Sequence, residues 1–349
     1  MKRLLALLLF ALMLVTAFAG CAGENTEGST AESSNSQQIE SSVAESSETD
    51  IKYGVRIAGM KGATSIGLVG LLEEETAVNS KNAYEFTLAG AADEITPKLI
   101  KGDLDIAAVP ANLASVLYNN TQGAIQLLAV NNLGVLYIVA KNESVASVAD
   151  LRGKTIIATG KGTTPEYTLR YILKENGIDP DTDVTLDFKA EATEVVAAIS
   201  QSESAVAMLP QPYVTVASKK VEGLQTVIDL NEEWKKIDKD SSIVTGVIVV
   251  RKAFAEENPE AVKEFLKDYK ASIDMVNASA ADAAKLVVKH GIFDNEGVIA
   301  TAIPACNITY IAGEDLKSPV GKYLSVLFAQ NPKSVGGKLP EDDFYYIAK

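Results

Sequence analysis

Two short stretches one hundred residues apart constrain this chain more than anything else in it. Residues 60–65 read MKGATS and residues 160–165 read GKGTTP, so Lys-Gly-x-Thr recurs with Gly62 over Gly162. The offset holds well beyond the turn. "IAGMKGAT" (57–64) lies over "IATGKGTT" (157–164), and the alternating "YEFTLAG" (84–90) over "VTLDFKA" (184–190). "DIAAVPAN" (105–112) lies over "AVAMLPQP" (205–212), which puts Pro110 over Pro210. Each half reads strand, Gly turn, helix, strand, helix, strand ending in Pro, helix, strand. Apolar strand runs alternating with amphipathic helices predict α/β lobes, each a mostly parallel sheet flanked by helices. A body of about 300 residues is large for one core and comfortable for two.

Several helices can be placed. Thr64 or Ser65 is a cap for a helix over "IGLVGLLEEETA", and Thr164 is a cap for "TTPEYTLRYILKENGID", with Pro165 at the first position and Gly177 after the last turn. "IVTGVIVV" (243–250) reads as a buried strand. Beyond Val250 the repeat stops and the chain turns mostly helical, with helices starting at Pro259 and running through "AADAAKLVVKHG".

In an open parallel sheet, ligands bind outside the carboxyl ends of the strands. Both Lys-Gly-x-Thr turns and both Pro-terminated strands lie at such ends. Gly62 and Gly162 let the backbone approach a ligand closely. Thr64 and Thr164 add hydroxyls, and Pro110 and Pro210 fix the directions of Asn112 and Gln211. The turn therefore occurs twice because a ligand is gripped from two sides, in a cleft between lobes.

The chain begins MKRLLALLLFALMLVTAFAGC, a basic start followed by an apolar run and small residues, which predicts a signal peptide over 1–20. Cys21 after Ala-Gly resembles the lipidation site of bacterial lipoproteins, with Phe18 where Leu is usual; the alternative is a plain cleavable signal. Residues 22–50 hold no aromatic, Lys or Arg and are dominated by Ser, Glu, Asn and Gln. Such a segment cannot bury enough apolar surface to offset its ordering entropy, so a flexible acidic tether is expected over 21–50. The formal charge is −14 and no basic block occurs, so nucleic acid is not an expected partner. With Cys21 lipidated, Cys306 stands alone and no disulfide framework is expected.

Together, the Ala-Gly-Cys start, "DLRGKTIIATGKGTTPEYTLRYIL", "LDIAAVPANLA" and "NPKSVGGKLPEDDFYY" resemble the substrate-binding lipoproteins of ABC importers. The likeness is to the group around the nitrate, sulfonate, taurine and thiamine-precursor binders (NMT1/THI5-like). It covers essentially all of 51–349. It implies the two-lobed periplasmic-binding-protein-like fold, type II. Lobe 1 would take 51–142, lobe 2 143–244, and a return strand with the helical part over 245–349 would complete lobe 1. The hinges would lie near 142–145 and 242–244. It also implies a function: an exported, lipid-anchored monomer on the outer face of the cell membrane. There it would pass a small organic solute to an ABC permease and its ATPase subunits, without a cofactor or metal. The alternative is a sensor module that presents its bound state to a membrane receptor.

The implied ligand loops are Met60, Lys61, Gly62, Ala63 and Thr64; Pro110, Ala111 and Asn112; Asn131 and Asn132; Gly162, Thr163, Thr164 and Tyr167; Pro210, Gln211 and Tyr213; and Thr245. Asn307 and Tyr310 in "IPACNITYI" are further candidates. Lys61 and Lys161 suit an anion, yet no Arg occurs in these loops, so a heterocycle held by amides and stacked on Tyr167 or Tyr213 fits equally. Trp234, in the charged "NEEWKKIDKD", reads as surface packing, and His290 as a partner of a helix C-terminus.

An enzyme is not expected. The lone His290 has no nucleophile elbow beside it, and one His with one free Cys supplies no zinc site. Neither turn has the spacing of a phosphate-binding P-loop. Thiamine-precursor synthases of the same fold use histidine-rich chemistry that has no counterpart here.

Overall fold

The computed structural model describes residues 52–348. The expected signal, Cys21 and the acidic tether lie outside these residues. Eleven strands are described: β1 (Tyr53–Met60), β2 (Asn82–Ala89), β3 (Ile106–Pro110), β4 (Ile125–Leu133), β5 (Leu136–Lys141), β6 (Thr155–Ala158), β7 (Thr185–Phe188), β8 (Ala205–Pro210), β9 (Leu224–Asp229), β10 (Val244–Arg251) and β11 (Ile308–Ala312).

They form two sheets, ordered β11-β4-β10-β3-β1-β2 and β7-β6-β8-β5-β9. The hundred-residue offset superposes β1, β2, β3 and β4 on β6, β7, β8 and β9. Apart from β11, which adds an antiparallel edge strand beside β4, both sheets then have one topology: three parallel strands, one inserted strand, and the fourth strand of the half. The parallel parts are β2-β1-β3 and β7-β6-β8. The inserted strands, β10 and β5, run antiparallel to both neighbours. Each sheet is thus mixed, with the parallel portion where the repeat is.

Each inserted strand comes from the other half. β10 follows the second repeat and enters the first sheet, where the resemblance implied a return strand; the apolar run "IVTGVIVV" itself marks only a buried strand. β5 follows the first repeat and enters the second sheet. The chain therefore leaves the first sheet at Gly134–Val135, ahead of residue 142, and returns across 238–243. The apolar run "LYIVA" (136–140) marks a strand but not which sheet it joins.

The helix expected over "IGLVGLLEEETA" is broken. A short helix, Ala63–Ile66, is followed by a 3-10 turn, Val69–Leu72, and a helix, Glu74–Asn79. Ser272, on the long helix Pro259–Ala278, is the cause. Its hydroxyl donates to the Gly67 carbonyl at 2.7 Å and accepts from the Gly70 N–H at 2.9 Å, taking backbone groups a continuous helix would pair internally. Gly70 permits this approach, because a Cβ there would sit 2.7 Å from Ser272 Oγ. Thr64 and Ser65 lie inside the short helix and do not cap it; the cap position is Gly62.

The C-terminal helices cover one face of the first sheet. Phe265, Tyr269, Ile273, Val276 and Val287 pack on Val55, Ile57, Ile106 and Ile248 in one apolar cluster. Burying side chains of this size contributes about 1.5–3 kcal/mol each. The helix Lys317–Gln330 does more than complete the first half. Its Tyr323 and Leu324 share a cluster with Val109 and Leu127 of the first sheet and with Ile156 and Met208 of the second. The Tyr323 hydroxyl lies 2.9 Å from Thr168 Oγ1, on the helix Thr164–Glu175 of the second half. Among the described residues no helix is long and apolar enough to cross a membrane.

Candidate functional site

The site begins at an irregularity in the first sheet. Between β4 and β10, Gly246 pairs with Asn132 and Val247 with Val130, so Asn131 is an extra residue on β4; Thr245 is the extra residue on β10, between Val244 and Gly246. Such bulges break the in-out alternation of side chains. Asn131 and Asn132 are neighbours in sequence, yet both bring a carboxamide oxygen over Gly246. A Cβ at Gly246 would lie 2.2 Å from Asn132 Oδ1, 2.4 Å from Asn131 Oδ1 and 2.8 Å from Thr64 Cγ2. Gly246 also pairs with Pro110 on β3. Thr64, Pro110, Asn131, Asn132 and Thr245, from four separate sequence motifs, thus meet around one missing side chain.

This group is polar, enclosed and unsatisfied. Asn131 donates its amide to the Thr64 carbonyl at 2.8 Å. Asn131 Oδ1, both amide atoms of Asn132, Thr245 Oγ1 and the Tyr269 hydroxyl are shielded from solvent without a hydrogen bond of ordinary geometry, and the Tyr269 hydroxyl lies beside the Asn131 amide. Native structures pair nearly all such atoms, and each one left open costs roughly 1–3 kcal/mol.

The second Lys-Gly-x-Thr turn meets the first half through Asn112. Its amide donates to the Gly162 carbonyl at 3.4 Å and to the Ser334 carbonyl at 3.0 Å. Its oxygen accepts from Thr164 Oγ1 at 3.3 Å. Asn112 follows Pro110 in the first turn of the helix Ala111–Asn120, so the Pro-terminated strand places it there. Thr163, one residue before the expected cap Thr164, occupies the cap position of the helix Thr164–Glu175. Its hydroxyl donates to the Gly160 carbonyl at 2.7 Å, and the Gly162 N–H goes to Glu166 Oε2 at 2.6 Å.

Other expected residues are engaged elsewhere. Gln211 Oε1 accepts from Thr215 Oγ1 at 2.9 Å, within its own helix turn. Tyr213 packs edge-on against Phe293, 5.8 Å between ring centres, and burial pushes its hydroxyl up. Tyr167 lines a separate concavity of about 710 Å³ with Arg170, Lys174, Asp181 and Gln330. Asn307 donates its amide to the Gly134 carbonyl at the passage between sheets, beside Asn231, which donates to the same oxygen at 2.9 Å. The Met60 carbonyl accepts from Ser65 Oγ at 2.6 Å. Ala63 and Ala111 are core residues, Pro210 pairs with Leu136, and Tyr310 meets Tyr269 edge-on, 6.2 Å between ring centres. Lys61 and Lys161 are exposed.

Three bystanders are also placed. Trp234 is not at the surface: it is fully buried between Tyr171 and Tyr323, with ring centres 4.6 and 5.4 Å away. Cys306 is buried, and burial pushes its thiol up to about 12, so it is protonated at neutral pH. His290 Nε2 lies 2.6 Å from Glu73 Oε1, with Lys289 on the other oxygen at 2.7 Å. No group of three or more metal-ligating side chains occurs among the described residues.

Sequence reading missed Gly246 and Glu166. A Gly inside the buried run "IVTGVIVV" was the available signal, since such a Gly marks a close approach. Glu166, four residues before Arg170, reads as an ordinary helix ion pair.

The family model for the periplasmic substrate-binding protein of phosphonate ABC transporters matches residues 67–292. The chain belongs to this family. Its members are substrate-binding transport proteins, and periplasmic binding proteins are exported. A binding protein of Brucella abortus (strain 2308) is 25% identical over 173 residues, 50% of this chain and 52% of that protein. The chain thus spans about half the length of the curated relatives it matches there. An ABC transporter structure from Parabacteroides distasonis aligns at a TM-score of 0.71 and 23% identity, over 84% of this chain and 99% of that one. The periplasmic aliphatic sulphonate binding protein SsuA of Escherichia coli aligns at 0.67 and 18%, over 85% and 92%. The chain shares its fold with these two solved structures.

Proposed function

We propose that this protein captures a small organic solute between its two halves and delivers it to an ABC permease with its ATPase subunits. The open polar atoms of Asn131, Asn132 and Thr245 carry this reading, because they lie at the strand ends of the first half, in the same fold region as the Asn112 bridge to the second Lys-Gly-x-Thr turn. The solute binds the first half, and closure brings up the turn around Gly162 and Thr164. The halves move about Gly134–Val135 and the return segment 238–243, the two places where the chain changes sheets. Cys21 carries the lipid that holds the monomer on the outer face of the membrane. The family and the sulphonate-binding neighbour favour an oxyanion such as a sulfonate; the amide-lined loops favour a nitrogen heterocycle.

A thermal-shift screen of the full chain, unfolded and refolded to strip carried-over solute, tests capture. A solute at about a thousand times its dissociation constant adds roughly 4 kcal/mol and raises the melting temperature by several degrees. Absence of any shift across sulfonates, nitrate, carboxylates, amines, amides and pyrimidines would contradict the reading.

A further inference from the structure

We infer that Tyr269, on a helix outside both repeats, is a positioning residue of the solute site: its buried hydroxyl holds the Asn131 carboxamide in place over Gly246. The inference rests on the proposal of solute capture above and adds a residue to that site.

Tyr269 belongs to the helix Pro259–Ala278, which packs on the first sheet. Its side chain is fully buried and held from several sides. The ring stacks on Phe265, 5.5 Å between ring centres, and meets Tyr310 edge-on. The hydroxyl reaches the segment that follows the first Lys-Gly-x-Thr turn, where a Cβ at Gly67 would lie 3.1 Å from it. Three residues on, and so on the same face of the helix, Ser272 binds the Gly67 carbonyl and the Gly70 N–H. The long helix thus meets this segment through two side chains.

The Tyr269 hydroxyl ends beside the Asn131 amide. That amide also donates to the Thr64 carbonyl at 2.8 Å. Thr64 and Tyr269 therefore flank the nitrogen end of the carboxamide, and its oxygen stays over Gly246, 2.4 Å from where a Cβ would be. Burial pushes the Tyr269 hydroxyl up, with the Asn131 amide acting in the opposite sense, so the group keeps its proton at neutral pH. The hydroxyl is enclosed without a hydrogen bond of ordinary geometry. A hydroxyl in this condition costs the fold stability, and phenylalanine would fill the same space without that cost. What the hydroxyl serves is the site it borders, where Asn131, Asn132 and Thr245 also hold open polar atoms.

Tyr269→Phe removes the hydroxyl and keeps the ring. Two measurements on the full chain, refolded free of solute, read the consequence. The first is the nuclear magnetic resonance of the Asn131 side-chain amide, identified by its absence from Asn131→Leu. Its signals should move in Tyr269→Phe, while the melting temperature stays at or above that of the wild type. The second is calorimetric titration with methylphosphonate, methanesulfonate and nicotinamide, and with any solute that shifts the melting temperature in the broader screen. Each one that the wild type binds should bind Tyr269→Phe about five- to tenfold more weakly, the effect of one hydrogen bond. Unmoved Asn131 signals, or an affinity equal to that of the wild type, overturn the inference and leave solute capture standing. A melting temperature that falls by several degrees marks a packing residue and overturns it as well. A wild type that binds none of the three probes and shows no shift in the broader screen overturns solute capture and, with it, the inference.

Discussion

Thr164 and Asn112 hold each other across the junction of the two halves: the threonine hydroxyl donates to the asparagine oxygen at 3.3 Å, and both side chains are buried. One residue follows a Pro-terminated strand of the first repeat and the other closes the Lys-Gly-x-Thr turn of the second. The contact therefore exists only when the halves meet. Asn112→Ala should weaken solute binding by about tenfold, because it removes the bond to Thr164 and the donor to the Ser334 carbonyl in the closed form. The check is calorimetric affinity alongside the melting temperature of the unliganded protein. An unchanged affinity would remove Asn112 from closure.

Gly246 is held to glycine by its surroundings. In Gly246→Ala the new methyl would meet two carboxamide oxygens and a threonine methyl at 2.2–2.8 Å. Overpacking of this kind costs about 1–3 kcal/mol. Urea denaturation should show that loss, and solute binding should fall with it because Asn131 and Asn132 are displaced. Wild-type stability in the alanine variant would mean the asparagines do not converge there.

These two residues show what a sequence can and cannot disclose. The hundred-residue repeat made the two-lobed fold, the turns and the Asn112 position legible, since each follows from local patterning. It could not show that β5 joins the second sheet, because an apolar run identifies a strand without naming its neighbours. It could not show the bulge at Asn131, which exists only in the pairing with β10. The same limit hid Trp234: the charged residues around it occupy the exposed face of the helix Leu230–Ile237, while Leu230 and Trp234, four apart, face inward.

Trp234 is the sole tryptophan, so its fluorescence reports one place. Packed between Tyr171 and Tyr323, it should emit at short wavelength in the native protein and shift to longer wavelength on unfolding. Trp234→Ala should cost about 3–5 kcal/mol, measured by urea denaturation. Native emission at the wavelength of solvent-exposed tryptophan would contradict its burial.

Asp105 gives the fold an acid-sensitive element. Burial acts to raise its carboxyl, but hydrogen bonds from Arg56 Nε at 2.9 Å, Arg56 Nη2 at 2.7 Å and Arg251 Nη2 at 2.8 Å outweigh it and hold the group below the usual carboxylate range. A carboxylate lowered on folding stabilises the native state above its unfolded pKa of about 3.9, and that contribution is lost as pH falls through the lower native value. Asp105→Asn should therefore cost about 2 kcal/mol near pH 7, less than a fully enclosed pair because the Arg56 side chain is 40% exposed. The gap between wild type and variant should narrow below about pH 4. Urea denaturation across pH checks it; a gap independent of pH would contradict the ionic role.

The most direct observation would be a crystal structure of the protein with the solute that raises its melting temperature. The expected result is the solute enclosed between the halves, with hydrogen bonds to Asn131 Oδ1, Asn132 and Thr245 and with the turn around Gly162 and Thr164 closing over it. A solute seated instead in the concavity beside Arg170 and Lys174, with Asn131 and Asn132 untouched, would contradict the assignment of the site.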